Sequence, residues 1–336
     1  MHTLPTVKRS FSMGENHVAN EMSIPNGYAR SIDNFVIDNS GMLSSRRMFV
    51  ASDPRGGHSV FVMPDESCAY FFDGGLMYKL MPTGAVLPVF GASGHFSLQG
   101  VDRVWYVYVN DTVYFSNGTS SGKVTPDGVA SMWGRDAEVW GVGDQGDDSE
   151  LRATTLEPFP ASRYIASSGG FIYGAVGNVL YRTQPMNYES YDPRYDFTML
   201  SDNIVMVGSV DSGLFVGTTT GVFYIKNGDE KFTRVSNLPP IAGSQVYVPF
   251  AQLGVEEINK KTVSDAFCWL TSEGLVAGMD DGRVELVQAG VLKLYEGGNP
   301  VSSLVQYDGS YQVLSVLNCA LSSAHNRAVD SVTVPL

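Results

Sequence analysis

Carboxylates, hydroxyls, histidines and thiols are the groups that do chemistry, and in this 336-residue chain few of them fall at a useful spacing. The densest acidic tract is GDQGDDSE, residues 143–150. A calcium loop needs oxygen ligands at alternating positions on a tight turn. This tract lacks the full pattern, and a solvated acidic loop is the favoured reading. The five histidines, His2, His17, His58, His95 and His325, stand apart with no metal-ligand spacing. Cys68, Cys268 and Cys319 form no CxxC pair and no even framework, so the two inside strand-like runs, Cys68 and Cys268, read as buried free thiols. No phosphate loop, HExxH or GxSxG occurs. The expectation is therefore no catalytic residue, no metal and no cofactor. The most distinctive polar segment is residues 184–195, QPMNYESYDPRY. Its Tyr188, Tyr191, Arg194 and Tyr195 are types rich in interface energy and form a candidate inter-subunit or partner contact. The alternative is that they pin the loop to its own sheet.

The elements that must position this loop are strands. A strand ends at Tyr181, and short apolar runs at 204–207, 213–217 and 222–225 follow, separated by VDSG and TTTG turns. Runs of 4–6 β-branched or aromatic residues bounded by Gly, Asp and Ser are antiparallel strand grammar, and the same grammar fills the chain. Residues 58–89 hold four such runs, 104–109 and 112–116 form a hairpin across Asn110-Asp111, and 266–295 hold four more. The uninterrupted VWYVYV at 104–109 predicts a central strand buried on both faces. Four short strands joined by tight turns make an up-and-down sheet, the unit of a propeller blade. The expected fold is all-β, a β-propeller of about five to six blades in one domain over residues 28–336. Residues 1–27 read as an N-terminal arm, extended or docked on a partner, and 126–160 as an inserted loop region or a poorly patterned blade. An N-terminal strand pairing with the last blade would remove the open edge.

Composition narrows the classes further. A net charge of −13 argues against a conventional nucleic-acid surface, which needs clustered Lys and Arg. No apolar run approaches the ~20 residues of a membrane span, and the first residues lack the apolar core of a signal peptide, so synthesis in the cytoplasm is expected.

Three resemblances add to this reading. Ser209-Val-Asp-Ser-Gly213 resembles the start of the Asp-box turn of sialidase propellers, S-x-D-x-G-x-x-W, with Val216 at the tryptophan position. It implies a second reading, a carbohydrate-binding or sialidase-like propeller acting in receptor recognition. NGYARSIDNFVIDNSGMLSSRR, residues 26–47, resembles the N-terminal signature of tail nozzle proteins of short-tailed bacteriophages. Residues 183–225, from TQPMNYESYDPRY to GLFVGTTTGVFYI, resemble a later blade of the same family, with Tyr188 and Tyr191 in its aromatic places. That family includes tail tubular protein B and the DNA-stabilisation proteins. The resemblance implies a non-enzymatic virion protein, located in the tail and made in the host cytoplasm. Its copies would form a ring, as a hexamer, that continues the DNA channel and retains and then releases the genome. The implied partners are its own copies and adaptor, fibre or needle proteins, with DNA passing through unbound. The chain is shorter than the larger relatives, and the expectation is that their platform or tip domains are absent from it.

Overall fold

The computed structural model describes residues 56–100, 102–134, 156–229, 231–249, 265–287, 300–307, 310–316 and 331–335, with pieces between residues 12 and 45 and the single residues Leu253 and Leu294. As the sequence predicts, the fold is all-β, and the described residues contain no α-helix. The chain divides into two compact units, Val50–Ser209 and Met1–Phe49 with Val210–Leu336. The tract at 143–150, His2, His17, His325 and Cys319 lie outside the described residues.

In the unit Val50–Ser209 three antiparallel sheets follow one another. The first has His58–Val62, Ala69–Asp73, Leu76–Leu80 and Val86–Pro88 in sequential order. The second has Trp105–Val109, Thr112–Ser116, Ser121–Val124 and Ala130–Met132. Its first turn is the expected one: Asn110 and Asp111 both take positive φ, 47° and 58°, the conformation of a tight type I′ hairpin turn. The fourth strand, Ala130–Met132, lies inside the stretch read as an insertion. Beyond it the sheet continues into the hairpin Phe90–Gly91 and Gly94–His95, because Gly91 pairs in parallel with Ala130. A Cβ at residue 91 would sit 2.7 Å from the Ala130 carbonyl oxygen, so this covering of the edge requires glycine.

Trp105–Val109 is not central, as its hydrophobicity suggests, but the first strand at the sheet's edge. Its run of apolar side chains has another cause. Tyr106 and Tyr108 pack on the core shared with the first sheet, around Phe72 and Phe115. Trp105, Val107 and Val109 pack on the core shared with the third, around Ile165 and Ile172. The third sheet is Tyr164–Ser168, Phe171–Val176, Val179–Arg182 and, after the polar loop, Phe197–Met199. Ile204–Val210 spans the division between the units.

The other unit holds Gly213–Thr218, Gly221–Lys226 and Thr233–Ser236, paired in that order. Next comes a four-stranded sheet of Val246–Pro249, Asp265–Thr271, Gly274–Gly278 and Val284–Leu286. Its first strand precedes the four expected at 266–295; three of those four are present, and the last, 291–295, lies outside the described residues apart from Leu294. A reading by successive turns favours neighbours in sequence. The sheet instead pairs Val246–Pro249 with Asp265–Thr271, placing Val248 beside Ala266 and Cys268 in the core. Val301–Tyr307, Ser310–Val316 and Ser331–Pro335 form the last sheet. Among the described residues the early strands Phe35–Ile37 and Leu43–Ser45 pair antiparallel with each other, and no pairing of theirs with this last sheet is found. A side chain links the two regions instead: Gln312 Nε2 donates to the Ile37 carbonyl at 2.5 Å. The described part of the arm is folded back on its own chain. Met13 and Asn16 donate their N–H groups to the carbonyls of Gly27 and Ala29, and Asn16 Oδ1 accepts from Val18 and Ala19.

Candidate partner-contact site

The loop at 183–196 connects the third and fourth strands of the third sheet, and its polar residues have internal tasks. At its start Thr183 is fully buried and makes two bonds with Ile172, its N–H to the carbonyl at 2.9 Å and its Oγ1 from the amide at 3.0 Å. At its end the buried Asp196 carboxylate accepts from Arg182 Nε at 3.1 Å, from Asp192 N at 2.8 Å and from Gln184 Nε2. One carboxylate thus ties the loop's two stems and its middle together. A buried carboxylate persists only when its lone pairs are used in this way.

The middle of the loop is fixed to the second sheet. Glu189 Oε1 accepts from Lys123 Nζ at 2.8 Å, with side-chain exposures of 16% and 11%, and from the Tyr114 hydroxyl at 3.4 Å. Its other oxygen accepts from Gly134 N at 3.0 Å, and its carbonyl accepts from Phe159 N at 3.0 Å. Trp133 Nε1 donates to the Tyr188 carbonyl at 2.6 Å. Glu157–Pro158 then pairs with Ser190–Tyr191, so the described ends of the inserted region are stitched to this loop.

The structure separates the four candidate residues into two pairs. Tyr188 and Tyr191 are buried in the core between the second and third sheets. Tyr188 lies edge-on to Tyr114, and Tyr191 edge-on to Tyr181 and Phe159, in the ring arrangements that aromatic quadrupoles favour. The Tyr191 hydroxyl donates to Glu157 Oε2 at 3.1 Å. Burial, then the Glu157 hydrogen bond and charge, push the Tyr191 phenol up to about 12. Burial also raises Tyr188, and burial followed by the Glu189 charge raises Tyr114. These two tyrosines hold the loop in place. Arg194 and Tyr195 face outward: Tyr195 is 72% exposed, and the Arg194 guanidinium lies 5.3 Å from its ring centroid. Arg194 is oriented by Asp192, which accepts from its Nε at 3.0 Å and its terminal nitrogen at 2.7 Å and raises its pKa. Met186, with φ of 58°, and the outer-strand residues Phe197 and Met199 are exposed too.

Sequence reasoning missed Asp196, Glu189, Trp133 and Phe197–Met199. An Asp closing an Asp-x-x-x-Asp loop is a local signal for Asp196, whereas Glu189 finds Lys123 across 66 residues, beyond local pattern. The Asp-box-like turn is structural here: Ser212 donates its N–H and hydroxyl to Asp280 at 2.6 and 2.8 Å, and the Tyr224 hydroxyl donates to the Asp280 carbonyl at 2.8 Å. Val216 is fully buried. His58 Nδ1 contacts Ser59 Oγ at 2.8 Å and His95 Nε2 the Met77 carbonyl at 2.7 Å. Cys68 and Cys268 are buried free thiols, with Cys268 pushed up to about 12 by burial. Among the described residues no cluster of three His, Cys, Asp or Glu could hold a metal, and no helix is long and apolar enough to cross a membrane.

No protein-family model and no curated protein matches the sequence. Solved structures do match. BBS1N in complex with ARL6DN aligns with a TM-score of 0.50 at 11% identity, over 88% of this chain and 82% of that one. The extracellular domain of BT4673 from B. thetaiotaomicron aligns with a TM-score of 0.47 at 14% identity, over 82% of this chain. This chain spans about a third, 35%, of that domain. Apo AztD from Citrobacter koseri aligns with a TM-score of 0.44 at 10% identity, over 83% of this chain and 74% of that one. At such identities the likeness concerns fold alone, and it agrees with the succession of four-stranded sheets: this is an all-β chain of the β-propeller class.

Proposed function

We propose that the chain is a non-enzymatic structural protein of a tailed-phage virion, forming a ring at the tail nozzle or neck that continues the DNA channel. The observation that carries this reading is the loop at 183–196, rigidly held from beneath by Asp196, Glu189, Tyr188 and Tyr191, with Tyr195 and Met186 left 72% and 65% exposed. A pre-ordered aromatic and arginine surface loses little entropy on docking, which is what a permanent assembly contact needs. The loop also lies in one of the two segments that resemble tail nozzle proteins. The charge of −13 fits a wall past which DNA must slide without adhering. The partners of this reading are further copies of the chain, as a hexamer, and adaptor, fibre or needle proteins, in the virion tail. Within the β-propeller class, BBS1N is itself found in complex with a protein, ARL6DN.

Electron microscopy and light scattering on the purified full chain test it. Rings are expected, together with copies of the chain in purified particles. Replacing Arg194 and Tyr195 by alanine should abolish the rings while changing stability by less than about 0.5 kcal/mol, as exposed sites do. A chain that stays monomeric at every concentration and is missing from particles overturns the proposal.

A further inference from the structure

The sheet from Val246–Pro249 to Val284–Leu286 has two faces of different character. On one, Val248, Cys268, Leu270, Leu275 and Ala277 form an apolar core. On the other, Phe267 and Trp269 pack at tilted angles among Tyr247 and Phe215, the Trp269 ring 5.6 Å from Phe215 and 5.7 Å from Phe267. The register Val246↔Cys268 and Tyr247↔Phe267, carried one step further, sets Gln245 opposite Trp269. The bond from Leu270 N to Ser244 Oγ, 3.0 Å, keeps residue 244 beside residue 270, although a side chain replaces the backbone acceptor there. Directly opposed residues of an antiparallel pair share a face, with Cβ atoms about 5 Å apart.

Gln245 is 9% exposed and Trp269 fully buried, yet Gln245 Oε1, Gln245 Nε2 and Trp269 Nε1 have no hydrogen-bond partner in the protein. Buried polar groups are nearly always satisfied by protein or ordered water, so three orphaned polar atoms on two opposed residues call for a partner. The indole can only donate, whereas the amide both donates and accepts. An apolar ligand would leave all three atoms unsatisfied, and an ion would be buried among aromatic rings without a countercharge.

We propose that Gln245 and Trp269 form an internal water site, in which one buried water accepts the indole N–H and bonds the Gln245 amide. Whichever way the amide is turned, water complements it, because water gives and takes hydrogen bonds equally. The site pins the first strand of the sheet, Val246–Pro249, through its preceding residue.

The test is water–protein cross-relaxation on the full chain labelled with ¹⁵N-tryptophan, with Trp269→Phe identifying the indole signal. A cross-peak between the Trp269 indole proton and a long-lived water is expected, and Gln245→Met should remove it. No cross-peak in the unmutated chain, or one that survives Gln245→Met, overturns the proposal. Where either variant fails to fold, a crystal structure of the unmutated chain at about 1.5 Å decides instead. A water within about 3.2 Å of both groups supports the site. The amide lying directly against the indole, with no water between, overturns it.

Discussion

The polar loop at 183–196 and the sheet that begins at Val246–Pro249 reverse what their compositions suggest. The loop is dense in carboxylates, amides and phenols, yet its buried polar atoms are matched: Asp196 takes three donors and Glu189 is bonded on both oxygens. The sheet is mostly apolar, yet it carries the orphaned groups at Gln245 and Trp269. Polar density therefore marks neither exposure nor activity. What matters is whether each buried group finds a partner, and a short loop can be arranged to supply partners more readily than a strand whose side-chain directions are fixed by the pleat.

The sharpest way to break this comparison is at the apolar side. Phe215 is fully buried against Tyr224, Phe267 and Trp269. Phe215→Ala should cost about 3–5 kcal/mol, seen as a lower urea midpoint, because the surrounding rings collapse poorly into the space left behind. Asp196→Ala should cost less, about 2–4 kcal/mol, since it strands the Gln184 and Asp192 donors while Arg182 retains access to water. If Asp196→Ala proved neutral, the loop would not be organised by that carboxylate. The smallest effect at neutral pH belongs to Tyr191→Phe, below about 1 kcal/mol. Its signature lies in alkali. The folded chain holds the Tyr191 proton up to about 12, whereas an unfolded tyrosine releases it near 10. Above pH 10 the unfolded state binds fewer protons, so stability falls as pH rises from 10 through 12. Unfolding curves across that window should show a shallower decline in Tyr191→Phe than in the unmutated chain, and equal slopes would contradict the burial of the Tyr191 hydroxyl beside Glu157.

Most strands were legible because their signals are local. Asn110-Asp111 announces its hairpin, and the alternation of short apolar runs with Gly, Asp and Ser locates the strands from His58–Val62 to Val86–Pro88 within a residue or two. What escaped depends on distance. Phe197–Met199 is three exposed residues that become a strand only because Val179–Arg182 offers an edge. Val246–Pro249 is apolar enough to read as a strand, but its place in this sheet is set by a partner across a long connector. At the candidate site residue types alone could not divide Tyr188 and Tyr191 from Arg194 and Tyr195, because the cluster that buries the first pair draws on Val107, Trp133 and Ile165 from other parts of the chain.

The hydrogen bond from Gln312 to Ile37 joins positions 275 residues apart and has a consequence in time. A ribosome delivers about 5–20 residues per second. The continuous unit Val50–Ser209 can complete its sheets as soon as it has emerged, while Met1–Phe49 must wait, already made, for Val210–Leu336. That wait is on the order of tens of seconds. During it the early hairpin Phe35–Ile37 with Leu43–Ser45 has no permanent neighbour from the late sheets, and its exposed edges are open to chaperones or to a neighbouring nascent chain.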